Sequence, residues 1–288
     1  MSGQMLYFSA LLPKRFPECF DQISRALSGA RIDFKLLPYT QDIWCRDYMP
    51  VWRPPESISV LNHYEPGYFM QFKYRPSYLK SPRWRATITN PVKTCQAIGI
   101  TPKHFDLVVD GGNVVQYGYK AIMTERVFKE NPRYRKATVY ALLTDLLNVD
   151  ELIMIPEEPG DPYGHADGCV RFVNKNTVMI NEIAPGQKIF GRKLRDVLRQ
   201  HGLRWIDLPY FIEKDSKNKH SAVGNYVNFL NAGDLVLVPT YVGYPEWNQR
   251  AIKILRRAFA GEKVVPIEST VLAKEGGVLN CVSWECVY

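Results

Sequence analysis

Two strand-like runs, a helical run and another strand recur along this chain at intervals of roughly 50 residues, a rhythm that limits the folds open to it. Helical periodicity is predicted over Pro17–Leu27, Val92–Ile98, Tyr134–Leu147, Ile189–His201 and Glu246–Phe259. Between them lie runs rich in Val, Ile, Tyr and Phe: Ile32–Pro38, Asp106–Asp110, Lys120–Glu125, Glu151–Ile155, Cys169–Val173, Thr177–Asn181, Leu203–Leu208, Tyr226–Leu230, Leu235–Tyr241 and Lys263–Ile267. Turn residues at Asn174–Asn176 and Asn231–Asp234 join several of these into hairpins. Such a unit, repeated in structure but not residue by residue, predicts one radial α/β domain over residues 1–288. A doubly wound sheet is the alternative. Against it stand the hairpins, which force antiparallel pairs, and the lack of a Gly-rich nucleotide loop after any strand. No low-complexity stretch or Pro/Gly/Ser linker divides the chain.

The 288 residues are 46% hydrophobic and 23% charged, which suits a globular fold with a sizeable core. The formal charge of +8 would suit a polyanionic partner. However, the basic residues are scattered, and the densest runs, Lys80–Arg85, Arg133–Lys136 and Arg250–Arg257, read as solvated faces. No specific nucleic-acid partner is expected. Nor is a membrane partner, since no apolar run reaches 18 residues. The patch Met5–Leu12 lacks the marks of a signal peptide, so a cytoplasmic location is expected. The six cysteines show no CxxC pair and no zinc-ligand spacing, so neither a disulfide framework nor a metal site is expected. Most of the thiols should be small buried hydrophobes.

Five residues at strand ends stand out as carriers of chemistry. If the chain is extended from Tyr163, His165 and Asp167 point to one face, placing a base and an acid in one pocket; the alternative is a turn in which Asp167 caps an amide. Cys281 follows the paired glycines Gly276 and Gly277, where a backbone can approach a ligand closely, and a Cys with a His supplies a thiolate nucleophile. Asp47 and Asp110 sit beside Pro50 and Gly111, positions where acidic residues also cap turns. Together they offer a nucleophile, an acid/base and an anionic cradle without a metal or other cofactor.

These residues fall in segments that resemble the agmatine deiminase and bacterial-type peptidylarginine deiminase family of the guanidine-modifying superfamily. The segments are Asp42-Ile-Trp-Cys-Arg-Asp-Tyr-Met-Pro50, Asp110-Gly-Gly-Asn113, Thr124-Glu-Arg-Val127 with Glu130-Asn-Pro132, Gly164-His-Ala-Asp-Gly168 with Arg171-Phe-Val173, Asn225-Tyr-Val-Asn-Phe229 and Gly276-Gly-Val-Leu-Asn-Cys281. The resemblance implies a five-bladed α/β-propeller (pentein) with the site on its axis. It also implies Cys281 as nucleophile, His165 as general acid and then base, and Asp110 orienting His165. Asp47 and Asp167 would grip a small guanidino substrate, with Trp44, Arg46 and Asn228 completing the binding set. The reaction implied is deimination through a Cys S-amidine, releasing ammonia and a ureido product.

The chain departs from the family pattern in two places. It is expected to lack the Trp- and Pro-rich segment that long agmatine deiminases carry before their first strand. Asn280 stands where the family usually has His before the nucleophile, and Cys281 is followed by Val-Ser-Trp where the family usually has Ile-Thr-Gln. If Leu279–Val282 is extended, Asn280 points away from the nucleophile; if the glycines twist the strand, it reaches the pocket rim. An amidinotransferase on the same fold and a basic binding protein without activity are the competing functions. The sequence is compatible with a homo-oligomer and does not fix one.

Overall fold

The computed structural model describes residues 4–55, 66–213 and 218–287. Among them, fifteen strands form five three-stranded sheets. Strands β1 (Gln4–Ser9) and β2 (Phe34–Leu37) open the first sheet; β3 (Val51–Arg53), β4 (Tyr68–Lys73) and β5 (Lys103–Val108) form the second; β6 (Val115–Tyr117), β7 (Lys120–Thr124) and β8 (Glu151–Ile155) form the third. Strands β9 (Val170–Asn174), β10 (Thr177–Asn181) and β11 (Arg204–Leu208) make the fourth, and β12 (Leu230–Ala232), β13 (Leu235–Thr240) and β14 (Lys263–Glu268) the fifth. The last strand, β15 (Ser283–Val287), returns to pair with β1 and closes the ring.

Every sheet obeys one rule. A central strand pairs antiparallel on one side (β15–β1, β3–β4, β6–β7, β9–β10, β12–β13) and parallel on the other (β1–β2, β4–β5, β7–β8, β10–β11, β13–β14). Parallel neighbours cannot be joined by a tight turn, so a helix spans each such pair. These helices include Pro17–Gly29, Pro91–Ala97, Lys136–Leu146, Lys188–Gln200 and Pro245–Ala258. The repeat read from the sequence is thus a pentein propeller of five blades.

The helix of the first blade shows how sequence selects the packing. Pro17 occupies its first turn, where a missing N–H costs nothing, and Cys19, Ile23 and Leu27 form a stripe at i, i+4 spacing that is buried throughout. Phe20 of that helix meets Phe8 of β1 and Phe34 of β2 edge-on, with ring centroids 5.8, 6.1 and 5.9 Å apart around the triangle. Burying Ile23 and Leu27 contributes roughly 1.5–3 kcal/mol each.

Three expectations need correction. The run 226–230 is not a strand: only Leu230 enters β12, although Tyr226, Val227 and Phe229 are fully buried in the loop before it. Residues 166–168 form a 3₁₀ turn, so His165 and Asp167 are not placed by strand alternation. Leu279–Val282 is a turn with Val282 N–H donating to the Val278 carbonyl, not an extended segment. Among the described residues, no helix is long and apolar enough to cross a membrane.

Candidate active site

The chemistry-bearing residues occupy equivalent places in the repeat. Each lies in the short segment leading into the first strand of a blade hairpin: Asp47 before β3, Asp110 before β6, His165 and Asp167 before β9, Asn228 before β12 and Cys281 before β15. The five segments are stitched to one another in a closed circuit of hydrogen bonds. Arg46 N–H donates to the Cys281 carbonyl at 3.2 Å, and Gly112 N–H to Asp47 Oδ1 at 3.1 Å. Ala166 N–H donates to Asn113 Oδ1 at 3.2 Å, and Asn228 Nδ2 to the Asp167 carbonyl at 3.2 Å. Asn228 Oδ1 closes the circuit by accepting from the N–H groups of Asn280 at 3.1 Å and Cys281 at 3.3 Å. Five loops from distant parts of the chain therefore hold one another in register, which fixes side chains without regular structure.

At the centre, His165 lies between two carboxylates, with Nε2 3.0 Å from Asp110 Oδ2 and Nδ1 3.4 Å from Asp47 Oδ1. Tyr78 also donates to Asp110 Oδ2, at 3.0 Å. The Cys281 thiol is 3.6 Å from Asp167 Oδ2, and Asn280 Nδ2 is 2.6 Å from the same oxygen. Asp47, Asp110, His165, Asp167, Asn228 and Asn280 are all buried. Cys281 is half-buried, whereas Cys19, Cys45, Cys95, Cys169 and Cys286 are buried.

Burial of so many carboxylates shapes the protonation of the site. Burial disfavours the imidazolium of His165, but the Asp47 and Asp110 carboxylates outweigh it and raise the ring to about 10. Burial raises Asp47, with His165 acting against that shift. The Cys281 thiol is pushed well above its ordinary value by burial and by the Asp167 and Asp47 charges. The resting site thus favours a neutral thiol beside an imidazolium.

Gly112 is where a side chain would do most harm. A Cβ there would collide with Asp47 Oδ1 and lie 2.8 Å from His165 Nδ1 and 3.4 Å from Asp167 Oδ1, so these three groups converge on one spot. Gly112→Ala is expected to drive Asp47 and His165 apart and lower turnover by at least about tenfold, ~1.4 kcal/mol of barrier, with an unchanged circular dichroism spectrum. Unchanged turnover would show that these groups do not act together. Gly277 has a related role, since a Cβ there would lie 2.7 Å from the Trp44 ring and 3.1 Å from Cys281 Sγ.

Cys281, His165, Asp110, Asp47 and Asp167 are brought together as the sequence implied, and Trp44 stands beside them. Arg46 and Asn228 are placed differently: Arg46 Nε reaches the Asn280 carbonyl at 3.4 Å, and Asn228 spends its amide on backbone groups, so both brace the Cys281 turn. Tyr78 and Tyr163 carried no sequence signal. Their rings meet edge-on at 5.1 Å, lie 6.0 and 6.1 Å from the His165 ring, and wall one side of the site. Among the described residues, no group of three or more His, Cys, Asp or Glu could hold a metal ion.

A ring of five blades that gathers a cysteine, a histidine and three aspartates from its loop ends defines a protein of the pentein class. The sequence model of the Porphyromonas-type peptidyl-arginine deiminase family matches residues 17–286, and the chain belongs to that family. It is similar to the agmatine deiminase of Medicago truncatula, 24% identical over an alignment of length 216, with 62% of this chain and 56% of the relative covered. The alignment thus spans little more than half the length of that curated relative. The agmatine deiminase structure of C. jejuni superposes with a TM-score of 0.77 at 16% identity, covering 99% of this chain and 93% of that one. The DDAH of Pseudomonas aeruginosa has the same fold at a TM-score of 0.57 and 14% identity, with 98% of each chain covered.

Proposed function

We propose that this protein is a deiminase that hydrolyses the guanidinium group of a small substrate, agmatine or an arginine derivative, through a covalent intermediate on Cys281. One observation carries the reading. Three carboxylates meet at the site, and two buried oxygens of this group of residues, Asp110 Oδ1 and Asn280 Oδ1, have no partner. A buried acceptor without a donor costs on the order of 1–3 kcal/mol. A guanidinium is a planar cation with donors only, so it can satisfy both atoms together with Asp47 and Asp167.

In the proposed reaction, Asp47 and Asp167 hold the guanidinium with its carbon over Cys281 Sγ. The bound cation favours the thiolate, whose proton passes to solvent because His165 is already protonated, and so offsets the shift that the carboxylates impose on the thiol. Sulfur attacks the carbon and forms a tetrahedral adduct. His165 gives a proton to one nitrogen, the C–N bond breaks and ammonia leaves. The Nδ1 proton suits this step, because Nε2 is tied to Asp110 while Nδ1 faces Asp47 across a longer gap. The neutral ring then takes a proton from water, which attacks the S-amidine; the C–S bond breaks to give the ureido product and free thiol.

The protonation pattern predicts the pH response. The thiolate grows as pH rises, and the imidazolium is lost as pH passes about 10, so kcat/KM should rise from neutral pH and peak on the alkaline side. Stability follows His165 separately. Its folded value exceeds the ordinary value of 6.5, so its stabilising contribution is complete below about 6.5 and fades as pH rises through about 10. Denaturant unfolding of wild type and His165→Asn across that range checks the sign: the difference between them should shrink towards alkaline pH.

The function itself is tested by incubating the protein with agmatine, free arginine, a peptidyl arginine and other guanidines without added amine. Equal amounts of ammonia and ureido product are expected from one of them. A new guanidine formed on an added amine acceptor, with the substrate's own amine released and no ammonia, would make the chain an amidinotransferase instead. Salt-sensitive RNA binding without any turnover would favour the non-catalytic reading.

A further inference from the structure

Cys281 and Asn280 compete for one oxygen. Asp167 Oδ2 takes the Asn280 amide at 2.6 Å and the Cys281 thiol at 3.6 Å, so the neighbour of the nucleophile is the closer donor. A thiol is a weak donor and an amide a good one, so the amide dominates this oxygen. The backbone that carries this amide is held tightly. Asn280 is 2% exposed, its N–H donates to Asn228 Oδ1, and its carbonyl accepts from Ser283 Oγ at 3.0 Å and from Arg46 Nε at 3.4 Å. This geometry exists because residues 279–282 turn, bringing side chains 280 and 281 to the same carboxylate.

We infer that Asn280 is a positioning residue for the nucleophile: its amide engages Asp167 Oδ2, so the carboxylate does not pin the thiol proton and the Cys281 sulfur is left ready to react. The inference rests on the functional reading only in taking Cys281 as the nucleophile. Its physical basis is simple. A carboxylate whose oxygen is already hydrogen-bonded repels a nearby thiolate less and holds an S–H less firmly. Without the amide, the thiol becomes the remaining side-chain donor to Asp167 Oδ2, and losing its proton leaves two poorly screened anions side by side. The other ionisable groups acting on this thiol or feeling its charge are Asp47, Tyr163, Arg171 and Tyr241, and they stay in place when residue 280 is changed.

The test reads the thiol directly and needs no substrate. Iodoacetamide labelling of Cys281 is followed from pH 6 to 10 by peptide mass spectrometry in wild type, Asn280→Leu, Asn280→Asp and Asn280→His. Asn280→Leu keeps the volume and removes the donor; at neutral pH it should label at least about tenfold more slowly, with its pH midpoint moved upward. Asn280→Asp adds a like charge and should be slower still. Asn280→His restores an N–H donor and should recover most of the wild-type rate. Circular dichroism confirms that each variant folds. In an Asp167→Asn background, where there is no carboxylate to engage, Asn280→Leu should have little effect on labelling; this comparison stands even if one single variant fails to fold. Labelling profiles that do not move, or an equal effect of Asn280→Leu with and without Asp167, would overturn the inference. If no guanidine is hydrolysed and the profiles still shift as stated, the deiminase reading falls and the positioning role stands.

Discussion

Cys281→Ser is expected to abolish turnover and to leave the fold intact. The hydroxyl is far harder to ionise than a thiol, and this site already raises the thiol through burial and through Asp167 and Asp47. An alkoxide among these carboxylates would not form at a useful rate. The expected loss is at least about four orders of magnitude in kcat, roughly 5 kcal/mol of barrier. The variant should still bind a guanidine, since the proposed acceptors of the cation are untouched, so ligand should raise the melting temperature of variant and wild type alike. Residual turnover within a factor of about ten of wild type would remove Cys281 from the chemistry. The other five cysteines are buried, so none offers an obvious substitute.

Asp47→Asn and Asp167→Asn are each expected to lower kcat/KM by about three orders of magnitude, roughly 4 kcal/mol. Either change keeps the volume and removes one of the charges that face the guanidinium, and each introduces an N–H where the ligand offers only donors. The two should differ in their signatures. Asp47→Asn removes a carboxylate that raises His165, so the alkaline fall in kcat/KM should move to lower pH. Asp167→Asn removes the stronger of the two carboxylate charges that, after burial, raise the Cys281 thiol, so labelling of Cys281 should become easier while catalysis collapses. Near-wild-type kinetics for either variant would mean that the cradle lies elsewhere.

Much of the fold could be read from the sequence because its signals are local. The helix Pro17–Gly29 announces itself by a proline start and an i, i+4 stripe, and the β9–β10 hairpin by its Asn174–Asn176 turn. Of the strands absent from that reading, β3 and β6 are three residues each, too short for alternation to show, whereas β4 has six residues with Phe69, Met70, Gln71 and Phe72 buried in succession, so its burial does not alternate. The site divides in the same way. Asp47, Asp110, His165, Asp167 and Cys281 stand in recognisable segments, but the backbone that presents them consists of turns held by neighbouring loops. The run from Tyr226 shows the cause: it is as apolar as a strand, yet Asn228 within it binds the backbone of two other segments, and those bonds take precedence over a sheet. The sequence leaves two places open for Asn280 for the same reason, since the turn at residues 279–282 is held partly by contacts from Asn228 and Arg46. Tyr78 reaches Asp110 from 32 residues away and leaves no trace in spacing or composition.

The covalent step is the centre of this account, and mass spectrometry of the protein caught during turnover tests it most directly. Wild-type protein is mixed with its best guanidine, quenched in acid within milliseconds to seconds, and measured intact and after digestion. The account predicts one added substrate-derived amidine per chain, the substrate less ammonia, located on the peptide carrying Cys281 and absent from Cys281→Ser. Unmodified protein at every time point while ammonia is being released, or an adduct on any other cysteine, would contradict it.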